Sequence, residues 1–432
     1  MWEDDITRLV AIQGFSVSRI EFSKEAVQVE TREKEIKFYR KKGHRAKVKR
    51  KVPKKVTYLI PKVDIYLKRD AAVYRCSGCG REYHTYDHSE SYTARDLPYG
   101  KWKSAWLHFD KVYVNCEKCG VRVENLGWID SRVRYTKRLA EEVARECRLF
   151  QSIKTVAERF HLHWETVKEI DKESLGRELA PSDFSEVRKL AVDEISIKKR
   201  HKYATVVADA ERYRVLWVTK DRKEASLLEF YDKLGPEGCR RIEAVAMDMW
   251  KPYEKATKAR CPNAAIVYDR FHVEQGFKRV IDAVRREEYA KVTGQERNAI
   301  KGLMYLLYTH PRNLRRKDRR RLDEAFKLNR RLFTVYMLQE ELSHLWSYTY
   351  AGAAMKWFRR WYSWAIRTRI EAVKDFARSL KAHLDGILAH CKHKISTSFL
   401  EGMNNKIKVI KRIAFGYRDL EYFFLKIRGA FL

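Results

Sequence analysis

Apolar residues in this chain recur in several distinct rhythms. Up to about Val63 they alternate only in short pieces such as V-Q-V-E-T, Val27 to Thr31, which suggest strands in an otherwise irregular stretch. Between Tyr135 and Ile170 the spacing is helical. Tyr135 to Leu149 reads as one helix, and Ile153, Val156, Ala157 and Phe160 share one face of a second. After a break at His161 to His163, Val167 and Ile170 fall on a third. Small Ala157 at the expected crossing, followed by a short polar turn, is a helix-turn-helix pattern. Its second helix would present Trp164, Glu165, Thr166 and Lys168 to a DNA major groove. Any packed helical pair shares this apolar spacing, so groove reading has to be supported by the surrounding charge.

Around Ala180 and Pro181 the rhythm turns β-rich. Leu190 to Ile197, His201 to Asp209 and Arg214 to Thr219 read as a three-strand antiparallel meander. A helix near Glu224 to Leu234, a strand at Arg241 to Asp248, a helix near Pro252 to Ala259 and a strand at Ala264 to Asp269 follow. The set predicts a mixed sheet covered by helices. From about Gln275 to Lys394 the pattern is almost wholly helical. Its tryptophan stripe, Trp357, Trp361 and Trp364, is better explained as packed core than as a base-stacking platform. A last helix follows, with Leu400, Met403, Ile407, Ile410 and Ala414 on its apolar side and Glu401, Asn404, Asn405, Lys408 and Arg412 opposite. The helical block therefore interrupts one α/β domain.

Charge narrows the partner. The 432 residues carry 91 Lys and Arg against 58 Asp and Glu, a net +33, while 45% hydrophobic content is that of a folded chain. Such a surplus favours a polyanion, because each neutralised phosphate releases counterions. With no apolar run of about 18 residues and no signal-peptide pattern at the start, a cytoplasmic protein acting on nucleic acid fits better than a membrane-bound one. The densest basic run, Lys37 to Lys55, suits phosphate contact without base specificity.

Cysteine spacing adds a metal. Cys76 and Cys79 form one C-x-x-C, and Cys116 and Cys119 a second. Each follows a strand-like alternation and is followed by a glycine that lets the backbone turn. Four thiolates close a tetrahedron, so the expectation is a zinc ribbon with structural Zn²⁺. His84, His88 and His108 lie between the knuckles and read as ordinary loop histidines.

Acids in apolar strands mark the candidate chemistry. Asp193 lies within a strand and Asp248 ends another, and burying such a group is expensive without a partner. Either a neighbouring Lys or Arg compensates, or the acid faces an open site and binds a cation. Glu401 has its own bland reading, local ion pairs at spacings of three and four.

The order V-D-E-I-S (Val192 to Ser196), A-M-D-M-W (Ala246 to Trp250), V-Y-D-R-F-H-V (Val267 to Val273) and E-G-M-N-N-K-I-K-V-I-K-R, with A-F-G-Y-R-D-L-E-Y-F after it, resembles the DDE transposases of the ISL-three insertion-sequence group. The resemblance runs from about Tyr74 to the C-terminus and includes both upstream modules. Arg200 stands where relatives often have a glycine before the histidine.

The resemblance implies a multidomain α/β protein with a ribonuclease-H-like mixed sheet interrupted by an all-helical insertion. The expected segments are 1–70, basic and β-rich; 71–130, zinc ribbon; 131–180, helix-turn-helix; 187–275, first catalytic part; 276–394, helical insertion; and 395–432, the C-terminal helical part. It further implies Asp193, Asp248 and Glu401 as an acidic triad, Mg²⁺ or Mn²⁺ as catalytic metal, and recognition of terminal inverted repeats. Asp193 would bridge two metals roughly 3.5 to 4 Å apart, with Asp248 and Glu401 on one each. Crowded carboxylates make sense chiefly when cations occupy the site. Asn405, Lys408, Lys411 and Arg412 would hold DNA phosphates, and Asp269 and His272 would sit at the edge, His272 with a DNA-positioning role as reasonable as an acid/base one. Asp209 and Glu254 are the reserve acids. Two DNA ends must be joined, which favours a homodimer or larger assembly. The competing expectation is a transposon-derived DNA-binding protein whose catalysis is lost.

Overall fold

A computed structural model of the chain describes residues 10–41, 44–70, 73–83, 87–130, 132–149, 152–179, 183–198, 202–395 and 398–431, with backbone alone at 29–41, 44–54, 88–90 and 398. His84 lies outside the described residues. The chain forms two compact units, one of Met1–Glu178 with Ile410–Arg418 and one of Leu179–Val409 with Asp419–Leu432.

In the first unit, β1 (Phe15–Lys41) and β2 (His44–Arg69) pair antiparallel along their whole length. The short alternating pieces read from the sequence are parts of this one ribbon. The short strands β3 (Tyr74–Arg75) and β4 (Glu82–Tyr83) pair with each other, and β5 (Asp87–Asp96), β6 (Ser104–Cys116) and β7 (Gly120–Val123) follow. The sheet order is β1-β2-β6-β5, with β7 also on β6 and the β2–β6 pair parallel. The base of the ribbon joins the core, where Val17, Val63, Ile65, Leu107 and Phe109 are buried and Phe15, Phe109 and Trp128 pack edge to face.

Helices α1 (Lys137–Arg148), α2 (Ile153–Phe160) and α3 (Trp164–Glu178) follow in this unit. Thr136 and Ser152 cap the first two by accepting from the backbone N–H groups of Leu139 and Thr155. His161, at φ 52°, turns the chain left-handed between α2 and α3, where the sequence breaks its helical spacing. Leu139, Val143, Val156, Phe160, Val167 and Ile170 form the shared core of the three.

The second unit is built on strands β8 (Lys189–Lys198), β9 (Lys202–Asp209) and β10 (Arg214–Lys220), then α4 (Glu224–Arg241), β11 (Ala244–Met247), α5 (Lys251–Arg260) and β12 (Ala265–Tyr268). The sheet order is β10-β9-β8-β11-β12; the first three strands are antiparallel, and β8, β11 and β12 are parallel. β9 and β11 are buried on both faces, which is why they read as continuous apolar runs rather than alternations. Leu190, Val207, Phe230, Tyr231, Val245 and Tyr253 fill the layer between sheet and helices.

A helical block follows: α6 (Arg270–Lys291), α7 (Gly294–Ile300), α8 (Met304–Tyr308), α9 (Arg316–Leu328), α10 (Arg330–His344), α11 (Ala351–Arg367), α12 (Glu371–Ala382) and α13 (Leu384–Leu388). Trp357 and Trp361 are buried in it, and the Trp361 indole donates to the Leu338 carbonyl at 3.0 Å, while Trp364 is exposed. Two of the three stripe residues are thus core. The chain ends in α14 (Ser398–Ile413), with Leu400, Met403, Ile407 and Ile410 buried, and α15 (Leu420–Gly429), packed on β10. Among the described residues no helix is long and apolar enough to cross a membrane.

Candidate active site and metal centre

Sheet register places the first two acids. Asp193 is in the central strand β8, opposite Val206 of β9, and on its other side β8 pairs parallel to β11 with Ala191 beside Ala246. Carrying that register two residues further sets Asp248, just past β11, beside Asp193 and on the same face. β12 extends the row. Met247 pairs with Tyr268, and the Asp269 N–H donates to the Met247 carbonyl at 2.9 Å. Asp193 therefore stands mid-strand where the β8–β11 pairing runs out, with Asp248 and Asp269 just past the ends of β11 and β12, the usual side for a ligand crevice in an open α/β sheet.

Asp269 also caps α6, accepting from the Phe271 N–H at 2.8 Å, and His272 on that first turn brings its Nε2 within 3.8 Å of the Asp269 carboxylate. Burial raises the pKa of Asp193, against the pull of hydrogen bonds from the Glu194 N–H and Asn404 and of nearby His272. Burial pushes Asp248 up to about 6; His272 and Arg222 oppose this, and Glu194 and Asp193 add to it. Among the described residues the Asp248 Oδ1 is buried with no hydrogen-bond donor. An orphaned carboxylate oxygen beside a desolvated second carboxylate suits a hard divalent cation, which takes oxygen ligands.

The helix that carries Glu401 meets this region. Asn404, one turn later on α14, donates from Nδ2 to the Asp193 Oδ2 at 2.7 Å. Glu401 itself is exposed. Among the described residues the only cluster of three or more Cys, His, Asp and Glu ligand atoms within 4.8 Å of one another is that of Cys76, Cys79, Cys116 and Cys119. Asp193, Asp248 and Glu401 are not drawn in to that spacing. The sequence put Asn404 on the polar face of the helix but overlooked it as a site residue; its place three residues after Glu401 was the available signal. Arg222, paired with Glu194 at 3.0 Å and stacked on Trp250, had no such signal.

The reserve acids are occupied elsewhere. Asp209 accepts from the Glu211 and Arg212 N–H groups at 2.9 and 3.1 Å and pairs with Arg212, so it shapes the β9–β10 turn. Glu254 accepts from the Tyr268 hydroxyl and faces His383.

In the first unit the four cysteine sulfurs form a compact group, with Cys79 and Cys116 Sγ 3.5 Å apart. N–H groups of Gly78 and Cys119 donate to Cys76 and Cys116 Sγ, both at 3.3 Å. Gly80 and Gly120 take the left-handed φ of 73° and 72° that the knuckles require. A side chain on Gly78 would start 2.9 Å from Cys119 Sγ, so the backbone has been brought close around the sulfurs. A hydrogen bond with the Tyr83 hydroxyl, ahead of all other causes, holds the Cys116 thiol down at about 6, which favours the thiolate a metal needs. A Cys₄ set of this compactness fits zinc. His108 instead bonds Asp64 at 2.7 Å and stacks on Tyr66.

On the helix-turn-helix, Trp164 is half exposed at the start of α3, with Thr166 and Lys168 partly exposed beyond it. Asn405, Lys408 and Arg412 are exposed on α14, Lys411 is partly so, and Lys408 Nζ donates to Asn405 Oδ1 at 3.3 Å.

A helix-turn-helix and an acid-bearing mixed sheet on one chain fit the class of DNA transposases. Residues 190–427 match the transposase profile of the ISL3 family, and residues 124–174 match the helix-turn-helix domain of transposase family ISL3. The transposase for insertion sequence element IS1001 of Bordetella parapertussis is 42% identical over 376 residues, 85% of this chain and 91% of that protein. The transposase for insertion sequence element IS1557 of Mycobacterium tuberculosis, in strains CDC 1551 and H37Rv, is 30% identical over 380 residues, 81% of this chain and 84% of its own. The chain belongs to the ISL3 family of DDE transposases, and its helix-turn-helix makes it a DNA-binding one.

Proposed function

We propose that the protein binds the terminal inverted repeats of an insertion sequence and catalyses phosphodiester cleavage and strand transfer on a ribonuclease-H-like sheet, with Asp193, Asp248 and Glu401 as its acidic triad. The observation that carries this reading is the β8–β11 register, which continued by two residues sets Asp193 beside Asp248, together with the Asn404 contact from α14 one turn from Glu401. The strand order β10-β9-β8-β11-β12 supports the sheet assignment.

The three acids would hold Mg²⁺ or Mn²⁺, which supplies Lewis-acid stabilisation of charge on the scissile phosphate. Asp193 and Asp248 are already desolvated, so little water would have to be cleared from them. In the first step a water oxygen forms a bond to phosphorus, the bond to the 3′-oxygen breaks, and a 3′-hydroxyl leaves. In the second, that hydroxyl attacks a target phosphodiester and displaces a new 3′-hydroxyl. His272, beside both aspartates, would place the phosphate or pass a proton at the edge of the site. Asn405, Lys408, Lys411 and Arg412 would contact phosphates, and Trp164, Thr166 and Lys168 the groove. Cys76, Cys79, Cys116 and Cys119 would hold one structural Zn²⁺. Joining two ends calls for a homodimer or larger assembly, acting in the cytoplasm.

The test is a cleavage assay on duplex carrying the element's own terminus, with Mg²⁺ or Mn²⁺. Nicking at the terminus that disappears in Asp193→Asn supports the reading; normal nicking by that variant rejects it.

A further inference from the structure

The ribbon of β1 and β2 is much longer than its anchorage. Among the described residues a third strand backs it only at Lys62–Tyr66, where β2 meets β6. Farther out, Phe22 stacks on Trp102, Glu25 accepts from the Ser104 hydroxyl and Tyr58 meets the ring of His161. From the pair Gln28 and Thr57 to the pair Lys41 and His44 the ribbon continues for 14 pairs without a bulge. At about 3.3 Å per residue that is roughly 45 Å, longer than one turn of DNA.

Across those 14 pairs stand 12 Lys or Arg against 3 Glu, and the unbroken register sorts them. Residues directly opposite one another share a face, and alternate pairs share it too. One face carries Lys47, Lys49, Lys51 and Lys55 of β2, with Arg45 opposite Arg40. Lys34, opposite Lys51, and Arg32 bring it to 8 cations against Glu30 alone. The other face holds 4 cations and 2 acids among Val29, Val48, Val52 and Val56. Net charge is therefore +7 on one face and +2 on the other.

Like charges directly opposite, as at Arg40 and Arg45 or Lys34 and Lys51, destabilise a ribbon. A two-stranded ribbon is marginal in water even without them. Both penalties are relieved if the cationic face lies against a polyanion. The major groove of DNA admits a two-stranded β-ribbon, and its rims carry closely spaced phosphates. We propose that this ribbon is a DNA-binding arm, distinct from the helix-turn-helix, which lays its cationic face along the phosphates of duplex DNA and adds affinity rather than sequence preference. The inference rests on the reading of the protein as one that acts on DNA.

The experiment compares two triple variants of the full chain, matched for charge removed: Lys47→Gln, Lys49→Gln, Lys51→Gln on the cationic face, and Lys37→Gln, Arg50→Gln, Lys54→Gln on the other. Binding to a 30-base-pair duplex of unrelated sequence and to one carrying the terminal repeat is followed by fluorescence anisotropy across a salt series. The first variant should lose about tenfold or more in affinity for both duplexes near 0.15 M salt. Its slope of log K against log salt should fall by about 2 to 3, one contact contributing roughly 0.9. Its preference for the terminal repeat should survive. The second variant should lose less than about threefold, since it removes positions from the face that the DNA does not meet. Equal losses in the two variants, or none, would overturn the proposal. So would a cationic-face variant that changes assembly size in sedimentation while leaving DNA affinity intact, because the arm would then be an interface between copies. If the unaltered protein fails to bind either duplex, the DNA-acting reading falls with it.

Discussion

The four-cysteine centre and the carboxylate centre are assembled by different means. Each C-x-x-C lies at a strand turn, and the β6–β7 pairing with the left-handed glycines brings four sulfurs within 4.8 Å. The carboxylates come from segments more than two hundred residues apart. Register sets Asp193 beside Asp248, and the contact of Asn404 with Asp193 ties in the helix that carries Glu401, the proposed third acid. Ligands carried on local turns close a site completely, as a structural metal needs. Ligands brought in by sheet register and helix docking leave room for a substrate.

The largest effect should come from emptying the closed centre. We expect about one zinc per chain by metal analysis. Strong chelation, or Cys76→Ser with Cys116→Ser, should unfold the β3–β7 region, because binding free energies on the order of 10 kcal/mol are folding free energy in such modules. Hydrogen exchange would show amides of β6 and β7 losing protection. Withdrawing Mg²⁺ alone should leave them protected. Unchanged protection in zinc-free protein would erase the contrast between the two centres.

Next come the acids. Asp193→Asn, Asp248→Asn and Glu401→Gln should each reduce cleavage at least about a thousandfold, roughly 4 kcal/mol of transition-state stabilisation. Repeat binding, measured alongside, should stay within about threefold, under 1 kcal/mol. Asp209→Asn and Glu254→Gln should still cut, since those carboxylates are committed to a turn and to Tyr268. A Glu401→Gln enzyme that cuts normally would leave a two-acid site and break the assembly described above.

The parts legible in the sequence are those whose pattern is local. Strands β8 to β12 begin and end within about three residues of the apolar runs that announced them. The helix-turn-helix declared itself through Ala157 and the break at His161. The ribbon did not, because its outer part is dominated by charged residues. Lys and Arg occupy both parities and Pro53 interrupts β2, so period-two hydrophobicity never builds up. Asn404 was hidden for another reason. Which polar residue of α14 meets Asp193 depends on how that helix rotates onto the sheet, and periodicity gives only the face.

A smaller effect separates the centres by pH. Burial raises Asp248 from the ordinary carboxylate value of 3.8 to about 6, so between those values the folded protein binds more protons than the unfolded chain. Its contribution to stability is fully present below pH 4 and is lost as pH rises through 6. Asp248→Asn should therefore stabilise the metal-free protein above pH 7 by up to about 3 kcal/mol, and hardly at all at pH 4. Urea titrations at both pH values read this directly. A gain of equal size at both would mean that the carboxylate charge is not what strains the site.

The smallest effect tests the link between helix and sheet. The Asn404 amide helps hold the Asp193 carboxylate ionised against burial, so Asn404→Ala should raise that pKa further. Losing a hydrogen bond to a charged group is worth roughly 1.5 kcal/mol, or about tenfold. Cleavage by the variant should fall by about that factor at neutral pH, with its half-maximal pH shifted upward and more Mn²⁺ needed for half-saturation. If Asn404 merely packed α14 against the sheet, thermal stability would drop while the pH profile and metal requirement stayed put. A shift in both with unchanged melting would instead establish that this one amide, rather than the apolar stripe beneath it, tunes the charge state of the acid on the central strand.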